Sequence, residues 1–73
     1  MMVTWLQSVY STMVQEIAYD ADREEMIVTW KGGTSGAYSG VPEDVAQSCA
    51  HAASVGQFIN SEIKPIYAYR RLS

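Results

Sequence analysis

The segment 53–69 constrains the fold most strongly, because it contains the start, the apolar face and the end of one short helix. The Ser54 hydroxyl can accept the backbone N–H of Gly56 or Gln57, which is how a helix N-terminus is commonly capped. Pro65 ends the helix, since proline has no N–H and clashes with the preceding turn. The inward face would carry four apolar residues: Val55, Phe58, Ile59 and Ile63. We expect this face to pack on a small sheet formed by the residues before it.

Apolar and polar residues alternate along residues 13–20, which predicts a strand. Its two faces would be Met13, Ile17 and Tyr19 against Val14, Glu16 and Asp20. An acidic hairpin tip at 20–24 separates it from a second strand, 26–30, whose β-branched and aromatic residues favour a sheet. The inner face of this strand would be Met26, Val28 and Trp30. Two glycines in the turn 31–33 tolerate positive φ and lead into a third strand at 34–38.

The ends of the chain are less regular. Residues 2–10 carry large side chains on both faces and suit either a buried strand or a short helix, whereas residues 66–72 form an extended tail. A first helix is predicted over 42–52, with Pro42 as its first residue and Glu43 and Asp44 in its first turn. Its apolar stripe would be Val45, Ala46, Cys49, Ala50 and Ala53. The sequence therefore predicts an α+β fold in one domain, 1–73, in which a small antiparallel sheet of three or four strands is followed by two helices packed on one face and an extended C-terminal tail.

The size and the charge of the chain limit the kinds of partner that it can bind. A chain of 73 residues buries only about 60% of its unfolded surface, so we expect a homo-oligomer to supply further buried area. The net charge of −3 disfavours binding to long nucleic acid, although Lys64, Arg70 and Arg71 make the C-terminal end basic. The early residues lack the features of a signal peptide or a membrane span, and the single Cys49 fits a reducing compartment. We expect a cytoplasmic protein with no membrane partner.

Two sets of residues suit an anionic ligand. At the helix start, Ser54 precedes backbone N–H groups at the positive end of the helix dipole, and Gly56 has no Cβ to hold a phosphate away. The alternative is that Ser54 only caps the helix and Gly56 only permits close packing. The second set is a basic and aromatic cluster near the C-terminus, in which cations pair with phosphates and a tyrosine stacks on a base: Lys64, Tyr67, Tyr69, Arg70 and Arg71. The alternative for this set is a solvated tail with Tyr67 packed under the helix.

The residue types needed for catalysis or metal binding are poorly placed. His51 and Asp44 are seven residues apart on one helix and touch poorly, while Cys49 faces the apolar side. The acidic hairpin tip begins like a calcium loop, but it has Glu25 and Lys31 where glycine and the final glutamate are required. We therefore expect no enzymatic activity, no metal and no cofactor.

The chain resembles the KTSC family, small domains found at the C-terminus of some lysyl-tRNA synthetases and as free-standing bacterial and viral proteins. The residues that carry the resemblance are Ser11, Thr12, Ile17, Ala18, Tyr19, Asp20, Trp30, Tyr38, Val41, Pro42, Ala52, Ser54, Gly56, Phe58, Asn60, Ile63, Tyr67 and Leu72. The resemblance implies a compact α+β domain with a role in RNA binding and no enzymatic activity. It adds Tyr38 and Asn60 to the candidate ligand-binding residues.

One position departs from the family's pattern. The family has Tyr-x-Tyr two residues before Val-Pro, but this chain has Gly36 at the first tyrosine position and keeps only Tyr38. The departure predicts that part of an aromatic platform is lost. Recognition would then depend more on Ser54, Lys64 and the C-terminal arginines.

Two functions follow from these patterns. The first is a non-enzymatic, oligomeric module that binds a nucleotide or a short RNA, with a small nucleotide favoured over a long RNA because the body of the chain is acidic. In a free-standing viral member, such a module would sequester a signalling nucleotide. The alternative is a protein–protein interaction domain with no nucleotide ligand.

Overall fold

The computed structural model describes residues 3–73, which form a five-stranded antiparallel sheet with helices on one face. The strands are β1 (Trp5–Ser8), β2 (Val14–Asp20), β3 (Glu25–Trp30), β4 (Ser35–Ser39) and β5 (Ala68–Arg71). They lie in sequence order across the sheet, and each pairs antiparallel with the next. The predicted α+β class is confirmed. The sheet has five strands rather than three or four, because the first segment and the C-terminal tail both join it as edge strands.

The first segment was predicted to be either a strand or a short helix. It is a strand, since Trp5 to Ser8 pair with β2. The predicted segment began at Met2, which lies outside the described residues. Trp5 is half-buried on the helix-covered face, where its ring stacks on Tyr19 with centroids 5.8 Å apart. Its Nε1–H donates to Glu43 Oε2 at 3.1 Å. Leu6 points to the opposite face and is exposed.

A β-bulge in β2 changes which residues face the core. The register shifts between Val14, which pairs with Trp30, and Glu16, which pairs with Thr29, so Gln15 is an extra residue. Val14 is therefore fully buried beside Ile17 and Tyr19, while Met13 is exposed. The predicted grouping of Met13 with Ile17 and Tyr19, opposite Val14, was wrong, because simple alternation does not allow for an inserted residue.

The two predicted hairpin turns are present. At the acidic tip, Asp20 is buried, and its Oδ1 accepts the N–H groups of Asp22 at 3.1 Å and Arg23 at 3.3 Å. The Asp20 carboxylate thus closes the turn between β2 and β3. In the next turn Gly33 has φ of +94°, a conformation that favours glycine. The strand that follows begins at Ser35, one residue later than predicted.

The helical layer contains α1 (Glu43–Ala50) and α2 (Val55–Phe58), and α2 continues into a π-helical segment, Ile59–Ile63. Pro42 is the N-cap of α1, with extended ψ of 152°, rather than its first helical residue. Ser54 caps α2 as predicted, since its hydroxyl accepts the Gln57 N–H at 3.4 Å. The π-helical segment ends two residues before Pro65.

The core lies between the helices and the covered face of the sheet. Its fully buried members come from both layers and include Val14, Ile17, Met26, Val28, Val41, Ala46, Cys49 and Ile63. The Tyr19 side chain extends through this core, and its hydroxyl donates to the Val41 carbonyl oxygen at 2.6 Å. This hydrogen bond connects β2 to the residues just before α1. Of the predicted helix stripe, Ala46, Cys49 and Ala50 are buried, and Ala53 is exposed after the helix ends. No helix within residues 3–73 has the length and apolar character needed to cross a membrane.

Candidate ligand-binding groove

Two adjoining cavities lie where the sheet meets α2 and the π-helical segment. The larger, about 460 Å³, opens between the loop before β2 and the start of α2. The smaller, about 330 Å³, opens between the π-helical segment and the ends of β3, β4 and β5. Both are lined by Met13, Gly56 and Asn60. Because they share this wall, they form one continuous surface depression, hereafter the groove.

The smaller half of the groove is aromatic. Trp30, Tyr38 and Tyr69 line it together with Ile59 and Lys64. Tyr38 and Tyr69 face each other across the β4–β5 pair, with ring centroids 4.9 Å apart and planes inclined by 52°. Tyr38 is 4% exposed and Tyr69 is 47% exposed, so the first supports the second from within the core. Burial raises the pKa of Tyr38, and the neighbouring Tyr69 raises it further, which keeps the Tyr38 hydroxyl uncharged at neutral pH.

Gly36 provides the space that Tyr69 occupies. A Cβ placed on residue 36 would overlap the hydroxyl and ring carbons of Tyr69. The glycine therefore permits the ring to lie directly on the backbone of β4. The expected loss of part of the aromatic platform was wrong, because Tyr69 on the neighbouring strand supplies a second ring beside Tyr38.

The larger half of the groove is the more polar of the two, because Ser11, Thr12, Ser54 and Gln57 are among its lining residues. The Ser11 hydroxyl oxygen also accepts the backbone N–H groups of Met13 and Val14, each at 3.2 Å, which orders the loop.

The π-helical segment places Asn60 and Lys64 along the groove. The Lys64 N–H donates to the Ile59 carbonyl oxygen at 2.7 Å, five residues earlier, and such π-helical turns are frequent at functional sites. Asn60 lines both halves of the groove, and Lys64 lines the aromatic half. Lys64 is the one charged side chain among the described residues that line either half.

A third, smaller cavity of about 270 Å³ has the opposite charge. It lies between α1 and the chain after the π-helical segment, and it is lined by Asp44 and Glu62 together with Phe58 and Tyr67. Tyr67 thus lies in an acidic cavity outside the groove, although it was predicted to join the basic cluster. The two carboxylates make this cavity unfavourable for an anion.

The predicted C-terminal cluster is not assembled. Alternation along β5 points Arg70 to the uncovered face of the sheet, where its guanidinium group donates to both carboxylate oxygens of Glu25 at 3.0 and 2.8 Å. Arg71 turns back on the chain end, and its Nε donates to the Ser73 carbonyl oxygen at 2.7 Å. Of the nine predicted ligand-binding residues, the groove brings together six: Tyr38, Ser54, Gly56, Asn60, Lys64 and Tyr69.

The model of the KTSC domain family matches residues 10–67, which is most of the chain. The chain belongs to the KTSC domain family. The structure is similar to the crystal structure of the KTSC domain protein YPO2434 from Yersinia pestis, with a TM-score of 0.86, 29% sequence identity, and coverage of 94% of this chain and 97% of that one. A protein of Tsukamurella paurometabola is 30% identical over 60 residues, which span 82% of this chain and 90% of that protein.

The KTSC match covers most of the groove but not all of it. Its residues run from Tyr10 at the polar end through Trp30 and Tyr38 to Lys64. Tyr69 lies two residues beyond the matched region. This KTSC protein therefore takes one ring of its groove from a strand that follows the matched region.

Several groove residues were not predicted from the sequence. Trp30 was assigned to the inner face of its strand, yet it is only half-buried and lines the groove. Met13 was grouped with Ile17 and Tyr19 on one face of its strand, because the bulge was not predicted. Ser11 and Thr12 were quoted for the family resemblance, which was a usable signal that they belong to the site.

The reactive side chains lie outside the groove. Cys49 is fully buried, and burial raises its pKa to about 11, so its thiol is protonated at neutral pH. His51 is exposed, and its Nδ1 lies 3.4 Å from Gln7 Nε2. The structure thus places these two residues in separate surroundings.

Proposed function

We propose that this KTSC protein is a non-enzymatic binding module that holds a small phosphate-bearing ligand, a nucleotide, in the groove. The observation that carries the proposal is the composition of the lining: among the described residues that line the groove there are four aromatic side chains and one lysine, and no carboxylate. A nucleotide combines a flat aromatic base with an anionic phosphate, so each part meets matching chemistry.

The polar half of the groove suits the sugar and phosphate. The hydroxyls of Ser11, Thr12 and Ser54 can donate to phosphate oxygens, and Gly56 allows a ligand to approach the backbone closely. Asn60 lines both halves and can contact either part of the ligand. Lys64 supplies a positive charge on a chain whose net charge is −3.

A small nucleotide fits better than a long RNA. Binding to a long nucleic acid needs several cations along a track that follows the phosphates. Here Arg70 is paired with Glu25 on the other face of the sheet, and Arg71 is bonded to the chain end. Lys64 alone can neutralise about one phosphate, which supports a mononucleotide, a cyclic nucleotide or a very short RNA.

Self-association and a cytoplasmic location belong to the same proposal. The groove opens to solvent beside a fully exposed Tyr10 and an exposed Met13, which would be covered if a second copy closed the site. Light scattering with and without ligand tests this part. A protein that stays monomeric at high concentration under both conditions would exclude a pocket shared between subunits.

A melting-temperature screen tests the function. The panel contains 5′-mononucleotides, cyclic nucleotides, dinucleotides and short RNAs, and the cyclic nucleotides test sequestration of a signalling molecule. At a concentration of about 100 times Kd, a ligand that binds only the folded state adds about 2.7 kcal/mol, which raises the Tm of a domain this small by about 10 °C or more. If no member of the panel changes the Tm, the nucleotide proposal is wrong.

That negative result would favour a protein interaction domain. One observation supports this second candidate: Leu6, Tyr10, Met13 and Ile66 are large apolar or aromatic side chains with more than half of their surface exposed. A partner protein would cover such side chains.

A further inference from the structure

The position of Tyr69 depends on a single residue on the neighbouring strand. The Tyr69 ring lies over Gly36, and any side chain at residue 36 would occupy the same space. Gly36 itself has no positive φ, so backbone conformation does not require glycine there. The requirement is space for the ring.

Tyr38 packs against Tyr69 and leaves one side of the Tyr69 ring exposed. Tyr38 is almost fully buried and packs into the core, where it holds Tyr69 at a centroid distance of 4.9 Å. Nearly half of the Tyr69 surface stays exposed, and Trp30 lines the same cavity. Since one side of the Tyr69 ring rests on the β4 backbone, the other side is available to a ligand.

The cavity beside Tyr69 has the size and chemistry of a small-ligand site. Its volume of about 330 Å³ lies within the usual range for ligand pockets, which begins at about 300 Å³. Met13 and Ile59 give it apolar walls, while Asn60 and Lys64 supply the polar groups. A flat aromatic ring with polar edges satisfies both kinds of group.

We infer that the cavity lined by Trp30, Tyr38 and Tyr69 is a base-binding subsite, in which a nucleobase stacks on Tyr69 and Gly36 sets the position of that ring. This inference rests on the proposed function and adds to it a ligand class. Phosphorylated compounds without an aromatic base, such as sugar phosphates, are excluded as high-affinity ligands. Gly36 acts as a positioning residue, because a side chain there would force Tyr69 into the cavity.

Fluorescence titration of the Trp5→Phe protein tests the inference, since Trp30 is then the single tryptophan. The probes are the four ribonucleoside 5′-monophosphates, the matching nucleosides and ribose 5-phosphate. We expect one or more monophosphates to quench Trp30 emission and the matching nucleoside to do so with lower affinity. Ribose 5-phosphate should bind much more weakly than the monophosphate.

Substitutions at the two contacting positions separate stacking from folding. Base stacking contributes about 1–3 kcal/mol, so Tyr69→Ser should weaken binding of the monophosphate by about 5- to 150-fold. Tyr69→Phe keeps the ring and should stay within about threefold of the parent. Gly36→Val should weaken binding like Tyr69→Ser, and Gly36→Ala replaces it if the valine variant does not fold. Circular dichroism confirms that each variant is folded before titration.

The outcomes distinguish the subsite from the function as a whole. If ribose 5-phosphate binds as tightly as the monophosphate and Tyr69→Ser leaves the affinity unchanged, the base-binding subsite is wrong while phosphate binding in the groove stands. If none of the probes binds, the inference fails; the proposed function fails as well if no member of the melting-temperature panel changes the Tm. If the monophosphate binds and follows the expected order of variants, the subsite is established.

Discussion

Replacement of Tyr19 by phenylalanine should destabilise the protein through one hydrogen bond. The Tyr19 hydroxyl donates to the Val41 carbonyl oxygen at 2.6 Å, and both residues are almost fully buried. Removal of the hydroxyl leaves that carbonyl oxygen without this donor in a site closed to water. A buried polar group left unpaired costs about 1–3 kcal/mol. Because the ring remains, the packing of Tyr19 on Trp5 is retained.

Urea unfolding followed by tryptophan fluorescence measures this change. With an m-value of about 1 kcal/mol/M, a loss of about 2 kcal/mol lowers the urea midpoint by about 2 M. Tyr38→Phe is the control, since the Tyr38 ring is also buried but its hydroxyl makes no hydrogen bond within residues 3–73 and, because no buried side-chain oxygen there is unpaired, that hydroxyl reaches solvent. The control should change the free energy of unfolding by less than about 0.5 kcal/mol. Equal midpoints for the two variants would refute the assigned role of the Tyr19 hydroxyl.

Three further predictions follow from local geometry. Gly33→Ala should cost about 1–2 kcal/mol in urea unfolding because Gly33 has φ of +94°, whereas Gly32→Ala, which has no positive φ and no close neighbour, should not; equal effects would contradict the turn. The pKa of Cys49 is raised from 9.0 to about 11, so its contribution to stability is complete below pH 9 and is lost between pH 9 and about 11. In Cys49→Ala, the slope of stability against pH in that window should decrease, and an unchanged slope would refute the assignment. Lys64→Gln should weaken nucleotide binding about 3- to 10-fold in calorimetric titration, while Arg70→Gln stays within about twofold; the reverse order would contradict the placement of the site.

The parts of the fold that were predictable depend on local chemistry. Ser54 and Pro65 bound the second helix because a cap and a stop act within a few residues. The turn at 31–33 was predictable because glycine at a positive φ is a property of the turn alone. The inward residues of β3 followed from regular alternation.

The parts that were not predictable depend on pairing between distant segments. The bulge at Gln15 is visible only when β2 is aligned with β3, and it reverses the exposure of Met13 and Val14. The number of strands depends on whether the tail finds a free sheet edge, which its own residues do not specify. Tail residues counted as one basic cluster therefore separated when alternation sent Arg70 to the other face.

The candidate site was predictable at the helix but not at the sheet. Ser54 and Gly56 follow from the sequence of one segment. The aromatic half needs Gly36 and Tyr69 to meet, although they are far apart in the chain, and nothing near either residue signals that contact. The sequence shows that a tyrosine is absent at Gly36. It does not show that the Tyr69 ring from β5 occupies the space that this leaves on β4.

Mapping the ligand by amide chemical shifts tests the central claim most directly. The ¹⁵N-labelled protein is titrated with the mononucleotide that gives the largest Tm increase. We predict the largest shifts at the backbone amides of Gly56, Asn60 and Tyr69 and at the indole N–H of Trp30, since all four residues line the groove. Largest shifts around Tyr67 in the acidic cavity, or a spectrum unchanged by the nucleotide, would contradict it.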